Sequence, residues 1–187
     1  MKFEANYRAH EGFVQPARKR NQLWRFAFGI IVASAVYLFL NQTLFNVASG
    51  FFDQGTQQMI RDIQAAKTPA TMYLLLFTFG FMIVGTGVAA KLIHHRSPFG
   101  LIGPIPLAFR QFTVVTLAMV TLSVAVLILP PWDYGAPLEP NLDLTVWVLL
   151  LPISLIAVLV QVSAEEIVFR GYIQQQLAAR FRSPLMW

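Results

Sequence analysis

Two adjacent carboxylates, Glu165 and Glu166, and an arginine four residues on, Arg170, directly follow a run of about twenty mostly apolar residues. A charged group at bilayer depth costs at least about 2.5 to 3.5 kcal/mol, so ionisable residues in such a setting mark function by default. On a helix Glu166 and Arg170 are i and i+4, in the order that favours an ion pair. Glu165 points about 100° away from Glu166 and about 140° from Arg170. The two glutamates therefore have different jobs. Glu166 is neutralised by arginine, and Glu165 is free to act as a general base toward water, which a raised carboxyl pKa in an apolar setting would assist. Projected at about 100° per residue, Ser154, Gln161, Tyr172 and Gln176 fall within about 40° of Glu165 and form a polar seam that must face protein or a wet cavity.

The elements that carry these residues are membrane helices. Of 187 residues, 56% are hydrophobic and only 12% charged, about half the charge of an ordinary soluble domain. The apolar residues fall into four blocks, near 23–40, 71–90, 112–129 and 144–166, each of about spanning length. The expected fold is an all-α polytopic integral membrane bundle, with residues 1–22 a polar tail and 23–187 the transmembrane domain. The first block is too long for the core of a signal peptide, so it reads as a retained helix. The basic residues number twelve on the side of the chain ends and two on the other, which puts both ends in the cytoplasm. They sit beside the apolar blocks rather than on one face, which reads as membrane topology and not nucleic-acid binding. Cysteine is absent, so disulfides and thiolate chemistry are excluded.

Between the blocks, residues 56–66 place Met59, Ile60, Ile63 and Ala66 at helical spacing, as for a short interfacial helix in an otherwise long loop. Thr68 and Pro69 suit a cap and first-turn proline. Gly80, Gly85 and Gly87 read as a surface for close helix packing; Gly85-Thr86-Gly87 lacks the lysine of a phosphate loop. His94 and His95 are adjacent and so do not share a helix face, as a zinc-binding pair would. Trp132 and Tyr134 suit a headgroup-level aromatic belt. If Asp143 marks one boundary, Glu165 lies about 33 Å along the helix, near the cytosolic edge of the hydrocarbon, with Pro152 shortening that reach by a kink.

The sequence Glu165-Glu166-Ile-Val-Phe-Arg170-Gly171-Tyr172 resembles the first motif of the CPBP family of intramembrane proteases, the group of the type II CAAX prenyl endopeptidases and the bacterial Abi-like proteins. The resemblance covers about twenty residues in detail, and the earlier spans agree only in general character. It implies an endopeptidase of the bacterial inner membrane acting on membrane-associated or CAAX-type prenylated proteins at the cytosolic edge. Glu165 then corresponds to the glutamate that activates water, and Glu166 with Arg170 to the pair that braces it. The family's second and third motifs supply histidines for water activation, oxyanion stabilisation or a divalent metal such as zinc. No histidine follows His95 in this chain. The expectation is an N-terminal portion of a longer protein, with an incomplete and inactive site as it stands. The alternative expectation is a non-catalytic membrane immunity or partner-binding protein in which the Glu-Arg pair is a structural knot.

Overall fold

In a computed structural model, residues 8–50, 56–66, 68–130, 142–181 and 183–186 are described, and no strand occurs among them. The expected aromatic belt at Trp132 and Tyr134 lies outside these residues. The helices are α1 (Arg8–Arg18), α2 (Leu23–Ser49), α3 (Thr56–Gln64), α4 (Pro69–Thr78), α5 (Gly80–Leu92), α6 (Ile105–Ile128), α7 (Leu144–Glu166) and α8 (Gln175–Arg180). Short 3-10 turns occupy Pro98–Leu101 and Pro184–Met186, and a π-helical segment, Ile167–Gln174, joins α7 to α8. Four stretches are long and apolar enough to cross a membrane: Leu23–Ser49, Pro69–Leu92, Pro98–Ile128 and Leu144–Arg180. The protein is an all-α integral membrane protein.

The helices begin and end where local chemistry allows. Thr68 and Thr71 form a reciprocal cap, the Thr71 N–H donating to Thr68 Oγ1 at 3.2 Å and the Thr68 N–H to Thr71 Oγ1 at 3.0 Å, with Pro69 in the first turn where its missing N–H costs nothing. The second span is interrupted at Phe79, whose N–H reaches Leu76 O at 3.2 Å in a tightened turn before α5 starts at Gly80. Asp143 opens α7 by accepting the Thr145 N–H at 2.8 Å. The first span runs to Ser49, well past residue 40, because Asn41, Gln42 and Thr43 bond within the helix, Asn41 Nδ2 donating to Tyr37 O at 2.9 Å and Thr43 Oγ1 to Phe39 O at 2.8 Å. The fourth likewise continues beyond Glu166 to Arg180.

The chain divides into two compact units, one of residues up to Ile102 with those from Ile153 onward, the other Gly103–Pro152. In the second unit α6 has no buried residue. A helix apolar on every side and unburied in protein belongs in lipid. Three of its four hydroxyls are satisfied locally: Thr113, Thr121 and Ser123 donate to the carbonyls four residues earlier at 3.0, 2.8 and 2.9 Å, as suits hydrocarbon.

In the first unit α2 and α5 cross in close contact. A Cβ at Gly85 would lie 2.4 Å from Ala33 O, so this glycine lets the two backbones meet. At Gly80 and Gly87 the nearest atom would be at 3.6 Å, an ordinary contact, so only one of the three glycines is needed for close approach. The core lies beside that crossing, where Ala89, Ala90, Leu101 and Tyr172 are buried against Phe26, Val32, Ala33, Ile167 and Ile173. Two parts expected to be peripheral belong to this unit. α3 buries Ile63 at 1% exposure, and α1 buries Val14 and Ala17 at 2% each. α1 packs on α8, and Asn21 Nδ2 then donates to Ala179 O at 2.9 Å. Residues 8–18 thus form an amphipathic helix docked on α8.

Candidate functional site

Glu165 and Glu166 form the last turn of α7, in the first compact unit, at the point where the helix widens. Glu166 accepts from Arg170 Nη1 at 3.0 Å, the i,i+4 pair expected from spacing. Both members are exposed, with side-chain exposure of 51% and 71%. Both also lie on one helical run, so the pair is no knot between helices. Glu165 is half-buried and accepts from Gln161 Nε2 at 3.2 Å. Among the described residues it has no cation partner. One carboxylate is therefore paired with arginine, and its neighbour accepts from an amide.

The polar seam differs from the sequence projection. Past Ile167 the backbone is π-helical, and its wider turn advances each residue by a smaller angle than an α-helix does. Residues beyond Glu166 therefore leave the line drawn at α-helical spacing. Gln161 does meet Glu165, and Ser154 meets Tyr73, their hydroxyls 2.8 Å apart. Tyr172, 2% exposed, belongs instead to a separate buried network, and Gln176, 3% exposed, is buried with its amide unpaired among the described residues. Gly171 lets this segment approach the Pro98–Leu101 turn closely, since a Cβ there would lie 2.5 Å from Leu101 O.

That network is a second polar centre. The His94 ring is 4% exposed, with Nδ1 3.3 Å from Arg20 O and Nε2 2.8 Å from Tyr172 Oη. The Arg20 carbonyl can only accept, so Nδ1 carries the proton and Tyr172 donates to Nε2. Burial, with the charges of Arg96, Arg25 and Arg20 nearby, lowers the His94 pKa to about 4, against a smaller raising effect of its bond to the Arg20 carbonyl. Beside it Arg96 Nη1 donates to Gln175 Oε1. Gln175, fully buried, donates in turn to Phe13 O at 2.6 Å and Gly100 O at 3.2 Å. Burial lowers the Arg96 pKa to about 10, partly offset by Tyr172. The link from 94 to 172 and that from 96 to 175 span nearly eighty residues and leave no local periodicity. A histidine and an arginine just past a span, with no carboxylate near in sequence, are the sole hint of them.

Neither centre makes a metal shell. Among the described residues no three of His, Asp or Glu come together. His94 uses both ring nitrogens, and Glu166 is held by Arg170. His95 is exposed, in a left-handed conformation with φ 49°. The residues present thus do not fit the three or four ligands that zinc needs. Chemically, Glu165 can orient water and take its proton.

No family model and no solved structure matches the chain. It is 28% identical over 180 residues to the uncharacterized protein YyaK of Bacillus subtilis (strain 168), an alignment covering 92% of this chain. The chain spans 59% of the length of that curated relative.

Proposed function

We propose that this chain is the membrane-helical part of an intramembrane endopeptidase of the CPBP type, in which Glu165 is the general base. The observation that carries the reading is the unlike condition of two neighbouring carboxylates at the start of a π-helical segment. Glu166 is paired with Arg170 at 3.0 Å, and Glu165 is half-buried with Gln161 as its one donor among the described residues. π-Helical insertions are frequent at functional sites. Glu165 accepts a proton from water as the oxygen attacks the peptide carbonyl, and returns it to the leaving amine as the C–N bond breaks. The Glu166–Arg170 pair keeps the second carboxylate from competing for that proton. No step is routed through a metal. The substrates are membrane-associated proteins, including prenylated chains with a C-terminal CAAX box. By the positive-inside rule both chain ends face the cytoplasm, and the site opens at the cytosolic edge of a bacterial inner membrane.

The test is hydrolysis of a membrane-anchored reporter peptide by the full-length protein in proteoliposomes, with and without a prenylated C-terminus. Cleavage with uptake of solvent ¹⁸O into the new carboxyl supports a hydrolase. Failure to cleave either reporter in protein that is folded and correctly inserted contradicts it.

A further inference from the structure

Three arginines gather around His94 where the first two spans end. Arg20 offers its carbonyl to the His94 ring, and Arg25, in the first turn of α2, donates from Nη1 to Ile93 O at 2.9 Å. Arg96 reaches Gln175. Among the described residues none of the three has an acidic partner; the ion pairs there are Glu11–Arg18 and Glu166–Arg170. Arg25 Nε and the Nε and Nη2 of Arg96 are buried with no acceptor. Unpaired charged donors of this kind are costly, and three of them on two arginines call for an anion. Each of the three residues is partly buried as a whole, while the unpaired Arg25 Nε and Arg96 Nε and Nη2 lie beneath the surface.

The level of the cluster identifies that anion. α2 begins at Leu23 and α5 ends at Leu92, so the arginines flank the ends of two apolar spans, where lipid headgroups lie. Trp24, 62% exposed, has the Arg25 guanidinium 4.7 Å from its ring centre, and an exposed tryptophan beside a span end suits the headgroup layer. Guanidinium forks match phosphate oxygens in pairs, and basic pockets between membrane helices hold anionic headgroups. We propose that Arg20, Arg25 and Arg96, at the shared end of α2 and α5, form a phosphate-binding site that takes the headgroup of an anionic lipid. The site is separate from Glu165 and does not depend on the protease reading.

The experiment uses the full chain purified in neutral detergent, with lipid retention read by native mass spectrometry and stability by thermal unfolding. Phosphatidylglycerol, phosphatidylcholine and inorganic phosphate are added in separate arms. The expected result is saturable retention of phosphatidylglycerol over phosphatidylcholine, with a higher melting temperature. Arg25→Gln and Arg96→Gln each weaken retention about fivefold, the loss expected for one interfacial arginine. Arg110→Gln, a basic residue of the second unit, has no effect. Arg20→Gln leaves the Gln175 network intact and carries the test if Arg96→Gln does not fold. Stabilisation by inorganic phosphate equal to that by phosphatidylglycerol, lost in the same variants, keeps the phosphate site but assigns it a soluble ligand. No preference for phosphatidylglycerol and no effect of phosphate overturns the proposal, as does an equal loss in Arg110→Gln.

Discussion

Lowering the pH should destabilise the first unit through His94, by an amount that follows from its burial. An unfolded chain gives this histidine a pKa of 6.5, and the folded one holds it near 4. Between those values the unfolded state binds a proton that the native state excludes, so stability rises with pH. The contribution is complete above pH 6.5 and is lost as the pH falls toward 4. Integrated from pH 6.5 to about 4.5, a shift of this size corresponds to about 2 kcal/mol. His94→Gln retains an amide that can bond Tyr172 but removes the titration. Equilibrium unfolding in detergent, followed by circular dichroism across this range, should give a steeper loss for the wild type than for the variant by about 2 kcal/mol. His10, whose burial also lowers its pKa, titrates in both proteins and cancels in the difference. Equal pH slopes in the two proteins would refute the assignment of His94 as a buried neutral ring.

Other perturbations have equally definite outcomes. Gly85→Ala should destabilise by about 1 to 3 kcal/mol, because its Cβ meets the Ala33 carbonyl, whereas Gly80→Ala should stay within about 0.5 kcal/mol; thermal unfolding of the two variants checks the contrast. Tyr172→Phe leaves His94 Nε2 without its donor and should cost about 1 to 3 kcal/mol in the same assay. Glu166→Gln and Arg170→Ala break an exposed pair and should each change stability by about 0.2 to 1 kcal/mol, less than the loss expected if the pair were a buried brace. A larger loss in denaturant titration would show that the pair has a burying partner.

The membrane class and the four apolar stretches were legible because spanning helices need long uncharged runs. The Glu166–Arg170 pair was legible because i,i+4 geometry is local. The Thr68–Pro69 start of α4 and the helix at 56–64 were legible for the same reason. What the sequence hid was either long-range or non-standard in geometry. The π-helical turn at Ile167–Gln174 breaks the α-helical projection, so Tyr172 and Gln176 leave the seam of Glu165. The contacts of His94 with Tyr172 and of Arg96 with Gln175 join segments far apart in the chain. The N-terminal segment has too few apolar residues to announce a helix, yet Val14 and Ala17 suffice to dock it.

The central claim is that Glu165, and not its neighbour, is the base. Its most direct test is the turnover number of the full-length protein on a membrane-anchored peptide for Glu165→Gln, with helicity and melting temperature measured on the same sample. A positioned general base contributes about 10² to 10⁴-fold, so turnover should fall by that much while both structural readouts stay at the wild-type value. Turnover within tenfold of wild type in the folded Glu165→Gln variant would contradict the account.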